Sequence, residues 1–353
     1  MFKLNELFRL VDTKVIFYFG LTKATGTQKT IINVKYSFFL TLTHISYTYF
    51  YITKNTDTPL YNTKRLPLQN ILTHKKIFPK NKMKKKYKMI VLDLDGTLTN
   101  NKKVITPKTK NALIRAQEQG IRLVLASGRP TYGIAPLAQE LQLKQYHGYI
   151  LAFNGAKIID CASGNTLFEQ TLPLELVPTL YEKAIEHHMN ILTYQGEKIA
   201  ATSIQDKYVK EEARINKLPI TLYPNFLKQI VYPINKCLIV GDPTPLHLLE
   251  TELSKTLEGK MSIYRSADYF LECVPLNVDK ALSIAKLLKL TNIKREEIIA
   301  CGDGYNDLSM IKYAGLGVAM ANANEDIRLK ADYVTLSNEE DGVAKVIDTF
   351  ILT

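Results

Sequence analysis

Two acidic clusters stand far apart in the chain: Asp93-Leu94-Asp95-Gly96-Thr97 and Gly302-Asp303-Gly304-Tyr305-Asn306-Asp307. Each follows a short apolar run, Met89 to Leu92 before the first and Ile298 to Cys301 before the second. Four carboxylates gathered from two such runs would hold a hard divalent cation and the phosphate that it neutralises. Asp93 and Asp95 are two residues apart, which on extended chain turns both side chains to one side. One carboxylate could then attack phosphorus, forming an aspartyl phosphate and dividing hydrolysis into two displacements. The other could protonate the leaving alcohol and then activate water, an effect worth about 10²–10⁴-fold. Gly96 allows a tight turn over a ligand.

The other candidates carry plainer readings beside the chemical ones. Ser127 ends an apolar run and precedes Gly128 at an expected helix start, so its hydroxyl and the free amides there suit a phosphoryl oxygen. It could equally be an ordinary N-cap. Arg129 could contact substrate or pair with a surface carboxylate. Lys280 could neutralise phosphate and restrain the nucleophile, or be a solvated helix lysine. Asn306 could donate to phosphate or fix a neighbouring carboxylate. Mg²⁺ takes octahedral oxygen ligands and keeps several waters. The expected metal set is Asp93, Asp95 through its carbonyl, Asp303, and Asp307 directly or through water. The second cluster lacks the twelve-residue spacing and closing Glu of a calcium loop.

An apolar run that breaks into carboxylates and glycines reads as a buried parallel strand reaching the functional edge of a sheet. From residue 88 the pattern alternates strand and helix. Lys88–Leu94 is the first strand. Thr106 caps a helix that opens on Pro107 and closes at Gly120, and Ile121–Ala126 is the next strand. Pro130–Leu141 reads as a helix and Tyr149–Phe153 as a strand. This rhythm predicts an α/β fold with a doubly wound, Rossmann-like parallel-sheet core. The rhythm changes near residue 165, and the strands and helices that follow read as an inserted α+β cap domain, expected to be an antiparallel sheet with helices on one face. The α/β pattern resumes with a helix over Asp279–Leu288. The expected organisation is an N-terminal extension (1–87), a first core segment (88–165), the cap (166–268) and a second core segment (269–353).

Taken in order, Asp93-Leu94-Asp95-Gly96-Thr97, Ser127-Gly128-Arg129, Lys280 and Gly302-Asp303-Gly304-Tyr305-Asn306-Asp307 resemble the four motifs of the haloacid dehalogenase-like hydrolases. The long insertion between the second and third motifs resembles the Cof-type (type IIB) subfamily. So do Asn154-Gly155-Ala156, the run Gly317 to Ala323 and the run Asn338 to Ala344. The resemblance covers about residues 88–353 and none of the first 82. It implies Mg²⁺-dependent hydrolysis of a small phosphate monoester, a sugar phosphate first of all, with Asp93 as nucleophile and Asp95 as acid and base. It implies phosphate and substrate contacts from Ser127, Gly128, Arg129, Asn154, Lys280 and Asn306, and Asp303 and Asp307 at the metal. Asp95 argues against a dehalogenase. Ala281 follows the motif lysine where similar proteins often have Gly. A phosphomutase would carry the same motifs, and a non-catalytic or membrane-tethered binder is the reading of another class.

The net charge of +12 on 353 residues suggests nucleic acid or an acidic membrane, but its placement does not. Residues 1–88 hold 17 Lys and Arg against 3 Asp and Glu, while the rest hold 29 against 31. The region with the chemistry is therefore near neutral, as suits an enzyme of small metabolites, and no nucleic-acid partner is expected. Cys161, Cys237, Cys273 and Cys301 have no metal-site spacing and fit a reducing cytoplasm. Tyr36 to Thr53 is uncharged, but its threonines, His44 and Ser46 make a poor membrane span. Residues 1–87 read as unstructured or as lying upstream of a native start at Met83. The intact mass of protein made from its own promoter tests this, and a full 40.1 kDa product would sink it.

Overall fold

The computed structural model describes residues 87–352, and the expected N-terminal extension, with Tyr36–Thr53 and Met83, lies outside them save for Tyr87. The described chain begins with β1 (Met89–Leu92), α1 (Pro107–Glu118), β2 (Arg122–Ala126), α2 (Thr131–Glu140), β3 (Tyr149–Ala152), β4 (Lys157–Asp160) and β5 (Thr166–Glu169). A second group follows: α3 (Val177–Glu186), β6 (Asn190–Gln195), β7 (Lys198–Ala201), α4 (Lys207–Asn216), β8 (Ile220–Leu222), α5 (Phe226–Gln229), β9 (Cys237–Val240), α6 (Pro243–Thr256), β10 (Met261–Ala267) and β11 (Phe270–Pro275). The chain closes with α7 (Lys280–Thr291), β12 (Ile298–Gly302), α8 (Leu308–Tyr313), β13 (Leu316–Ala319), α9 (Glu325–Lys330), β14 (Tyr333–Val334) and α10 (Gly342–Phe350).

The larger sheet runs β14-β13-β12-β1-β2-β3-β4-β5. It is parallel from β14 to β3, and β4 and β5 extend it antiparallel. Every residue of β1, β3, β12 and β13 is buried. Strands that are apolar on both faces need cover on both faces, which is why the pattern alternates with helices. The chain moves from β1 to β2 on one side and returns through β12 on the other, so the strand order reverses between β1 and β12. In an open α/β sheet the crevice outside such a switch point is where ligands sit. The helix α1 starts as its sequence dictates: the Thr106 side chain accepts from the Thr109 N–H and Pro107 occupies the first turn.

The smaller sheet runs β10-β11-β9-β6-β7-β8. Its pairs are antiparallel except β7 and β8, which are parallel and joined through α4. The expectation of a purely antiparallel inserted sheet is corrected by that one crossover. Sheet membership also shifts the expected boundaries. Thr166–Glu169 pairs with β4 in the larger sheet, and Phe270–Pro275 pairs with β9 in the smaller one. Both strands continue a hairpin begun before the expected break, and hairpin pairing outweighs the change of rhythm that marked it. The two crossing segments meet where Gln170 Nε2 donates to Leu276 O at 2.7 Å.

One face of the smaller sheet carries Leu192, Tyr194, Ile199, Ala201, Leu238, Val240 and Phe270, which join the apolar cluster of the larger unit. The opposite face packs on α3 and α6. The Phe153 and Tyr194 rings meet across the seam at 5.7 Å between centroids. Of the four cysteines, three are buried, Cys161 is half-buried and none is bonded. Among the described residues no helix is long and apolar enough to cross a membrane.

A glycine holds the wall beneath the second cluster. A Cβ on Gly317 would lie 1.9 Å from the Ile311 carbonyl oxygen, a backbone atom that cannot swing aside. Gly317→Ala is therefore expected to destabilise the fold by about 1–3 kcal/mol, as overpacking does. Urea denaturation checks this; an unchanged midpoint would show that β13 and α8 are not so tightly apposed.

Candidate active site

The register of β1 on β12 sets the site. Leu92 pairs with Cys301, and the Asp93 N–H donates to Cys301 O at 3.0 Å, so Asp93 and Asp303 leave adjacent strands side by side. Asp307 returns to the same point from the turn Tyr305–Asp307. Its Oδ2 accepts the N–H groups of Asp303 and Gly304 at 3.0 and 2.9 Å. One oxygen from each of Asp93, Asp303 and Asp307 lies within 4.8 Å of the others. Gly96 has φ +86°, and a Cβ there would stand 2.2 Å from Asp303 Oδ2. The turn after Asp95 therefore needs glycine twice over, for its backbone and for the room it leaves Asp303.

Lys280 opens α7 and its side chain is fully buried. Its Nζ lies 2.6 Å from Asp93 Oδ1 and 2.5 Å from Asp307 Oδ1. The solvated-lysine reading is thereby overturned. Burial alone would lower its pKa, but the charges of Asp307 and Asp93 outweigh it and raise it. Asp303 accepts from Thr97 Oγ1 at 2.7 Å, and Asn322 Nδ2 ties the Gly96 carbonyl at 2.8 Å. Three carboxylates thus face one ammonium.

That imbalance appears in their acidities. Burial first, then the charges of Asp307 and Asp303, push Asp93 well above its usual range despite Lys280. Burial raises Asp303 to about 6, with the Thr97 hydrogen bond opposing it. A carboxylate cluster that is short of positive charge, with oxygens at this spacing and all from hard donors, fits a divalent cation such as Mg²⁺.

Asp95 is differently placed. Its carboxylate lies outside that cluster and is gripped by Arg129, with Nε to Oδ2 at 2.7 Å and Nη2 to Oδ1 at 2.6 Å. Lys103 Nζ adds a third contact at 2.7 Å. Burial would raise its pKa, but the bidentate guanidinium and the ammonium together hold it below the usual carboxylate range. The chain turns at Leu94 rather than staying extended, and the Asp95 carboxylate stands near enough for its charge to bear on Asp303. Arg129 pairs with a partly exposed carboxylate, and that carboxylate is Asp95 of the first acidic cluster.

Ser127, Gly128 and Arg129 form a turn that precedes the helix rather than beginning it. The helix α2 starts at Thr131 after Pro130, so Ser127 is not its N-cap and the expected helix-end amides lie farther on. The turn is pinned by the core: Ser127 N–H to Leu151 O at 2.9 Å, Asn154 N–H to Ser127 O at 2.8 Å, and Phe153 N–H to Arg129 O at 3.0 Å. Asn154, buried and left-handed at φ 56°, accepts from Asn306 Nδ2 at 3.1 Å. Its own Nδ2 donates to Tyr264 Oη on β10 at 2.8 Å.

The structure therefore gathers Asp93, Asp303 and Asp307 within 4.8 Å of one another, with Lys280 in contact with Asp93 and Asp307. It places Asn306 against Asn154, and Arg129 against Asp95. Lys103, Thr97, Asn322 and Tyr264 were not singled out from the sequence. Thr97 and Asn322 lie inside runs already noted; Lys103 and Tyr264 have no neighbouring signature and enter only through the fold.

A family model described as haloacid dehalogenase-like hydrolase matches residues 90–347. A solved haloacid dehalogenase-like hydrolase from Bacteroides thetaiotaomicron is 56% identical, with a TM-score of 0.73 over 74% of this chain and 99% of that one. A Bacillus subtilis protein named 5-amino-6-(5-phospho-D-ribitylamino)uracil phosphatase YcsE is 29% identical over 75% of this chain and 96% of its own length. The Escherichia coli pyridoxal phosphate phosphatase YbhA is 27% identical over 75% of this chain and 99% of its own. With its four motifs gathered at one sheet edge and a second sheet inserted between them, the chain belongs to the haloacid dehalogenase-like hydrolases and has their Cof-type arrangement.

Proposed function

We propose that this protein is a Mg²⁺-dependent phosphomonoester hydrolase of small phosphorylated metabolites, sugar phosphates first among them. The observation that carries the reading is the convergence of Asp93, Lys280, Asp303 and Asp307 at the β1–β12 switch point. Relatives named as phosphatases support the reaction class, and the near-neutral charge of residues 89–353 supports a small-molecule substrate.

In this reading Asp93 is the nucleophile. Lys280 holds its Oδ1, which restrains the rotamer and leaves Oδ2 free of that bond. Asp93 and Asp303, with the Asp95 carbonyl and Asp307 directly or through water, would hold the cation. When bound, Mg²⁺ supplies the positive charge the carboxylates lack and screens the nucleophile from the incoming phosphate. The Ser127 hydroxyl receives a phosphoryl oxygen from the other side. Charge stabilisation by these fixed donors is the dominant catalytic effect.

Asp95 serves as the proton carrier. As an ionised carboxylate it suits the second half-reaction, in which it takes a proton from water. In the first half it must deliver one, which Arg129 and Lys103 oppose while they hold it. Both cations are also ligands for anions, so a phosphate entering beside them competes for the same donors. The smaller sheet is the cap: it closes the crevice, excludes water and presents side chains to the alcohol.

Asp93→Asn is expected to abolish release of phosphate from p-nitrophenyl phosphate with Mg²⁺. Asp95→Asn should slow it by about 10²–10⁴-fold. Wild-type protein inert on this ester and on a panel of metabolite phosphates would remove the enzyme reading. Isomer formation from a hexose phosphate, with no phosphate released, would turn it into a mutase.

Metal binding has a readout apart from turnover. Mg²⁺ should raise the melting temperature of the wild type by relieving carboxylate repulsion. Asp303→Asn removes one unpaired charge and should melt higher than wild type in chelator, by about 2–4 °C for each kcal/mol gained. It should also lose the Mg²⁺-induced rise. If Asp303→Asn keeps the full rise, Asp303 is not a ligand.

A further inference from the structure

The turn Ser127–Arg129 is held by the core at every backbone carbonyl but one. The carbonyl of Gly128 is taken from the cap instead: Lys236 Nζ donates to it at 3.2 Å. Lys236 lies just before β9, and its side chain is only 3% exposed. It is braced by Glu272 on β11, with Nζ 2.9 Å from Oε2 and 3.2 Å from Oε1. Only the Oε1 contact has hydrogen-bond direction, and the Oε2 contact is ionic. Ser266 Oγ holds Oε1 from the other side at 2.9 Å. A buried salt bridge costs desolvation and is weak evidence for stability. Its placement therefore calls for a role.

The peptide geometry suggests one. The Gly128–Arg129 bond is trans, so its C=O and N–H point opposite ways. With the carbonyl drawn toward the cap, the Arg129 N–H faces the core, where it donates to Ser127 Oγ at 3.2 Å. That hydroxyl oxygen then has an acceptor site filled, and its own proton turns outward to any phosphoryl oxygen in the crevice. The chain of donors runs Lys236 to Gly128 carbonyl, Arg129 amide to Ser127 hydroxyl, each link polarising the next.

We infer that Lys236 is a positioning residue that completes the phosphate cradle only when the cap is closed. The inference rests on the phosphate role proposed for Ser127. With the cap open, the Gly128–Arg129 peptide loses its charged partner and is free to rotate. The Ser127 hydroxyl then ceases to be held in line for phosphate. Closure thus assembles the cradle as well as covering it. Because the effect resides in the phosphate turn, it is the same for every leaving alcohol.

The test is orthophosphate binding, measured by calorimetry on the full chain with Mg²⁺, alongside turnover of two esters with unlike alcohols. Lys236→Met should weaken orthophosphate about tenfold, the worth of one hydrogen bond to a charged group. It should lower kcat/KM by a similar factor for both p-nitrophenyl phosphate and a hexose phosphate. Lys236→Arg should recover much of the loss. If Lys236→Met fails to fold because Glu272 is left unpaired, the double variant Lys236→Met, Glu272→Gln removes both charges and should show the same loss. Equal orthophosphate affinity in wild type and variant overturns the inference, as does a loss confined to one ester. Wild-type protein that binds no orthophosphate and turns over neither ester overturns the phosphatase reading itself, and this inference with it.

Discussion

Three carboxylates share one buried ammonium, and the rest of the molecule is arranged around that shortage of positive charge. Asp93, Asp303 and Asp307 would repel one another less if they were apart, yet their backbones allow no retreat. Asp93 and Asp303 are each one residue past a buried strand, in a register locked by the pairing of Leu92 with Cys301. Asp307 is tied to the amides of Asp303 and Gly304. The large apolar sheet supplies the stability that offsets the crowding, at roughly 1.5–3 kcal/mol for each fully buried aliphatic side chain. A rigid, well-packed sheet ending in under-neutralised carboxylates is a site held ready for a cation and an anion together.

The second constraint is that the inserted sheet must meet this edge. Its inward face is mostly aliphatic and aromatic, which favours closure without fixing direction. Direction comes from a few polar bonds: Lys236 to Gly128, Tyr264 to Asn154, and through Asn154 to Asn306. These bonds end on the second and fourth motifs rather than on neutral surface. They add specificity to an otherwise non-directional contact. The crossing segments at Gln170 and Leu276 lie beside each other, which makes a narrow two-strand connection suited to a hinge.

Much of this was legible in the sequence because its signals are short-range. An apolar run ending in Asp93-Leu94-Asp95-Gly96 reports both a buried strand and what lies at its end. Thr106-Pro107 reports a helix start. What failed depended on partners distant in sequence. The edge strands at Thr166–Glu169 and Phe270–Pro275 belong to whichever sheet offers a hairpin, and the change of rhythm near residue 165 does not say which. The helices α5, α8 and α9 and the strands β4, β8 and β14 are short and were not anticipated, nor was the longer, amphipathic α4. Lys280 looked like a surface lysine because its partners come from 187 and 27 residues away. Arg129 and Asp95 are 34 residues apart, and nothing in either neighbourhood names the other.

The most informative contrast lies within a single motif. Asp93 and Asp95 are the same residue type, two positions apart, yet one stands among carboxylates and the other among cations. Asp93 faces Asp303 and Asp307 with Lys280 as its sole positive partner in the cluster; Asp95 is held by Arg129 and Lys103. Neighbouring carboxyl groups whose surroundings pull them in opposite directions are how one fold assigns different tasks to identical chemistry. Here the surroundings are complementary to what must arrive. The anionic side lacks a cation, and the cationic side carries donors that an anion can claim. A metal ion settling on Asp93 and a phosphate drawing on Arg129 and Lys103 would each relieve one half of the separation. In that arrangement the two ligands would stabilise each other's binding across a single intervening residue, Leu94, with Gly96 leaving room for Asp303 on the far side of Asp95.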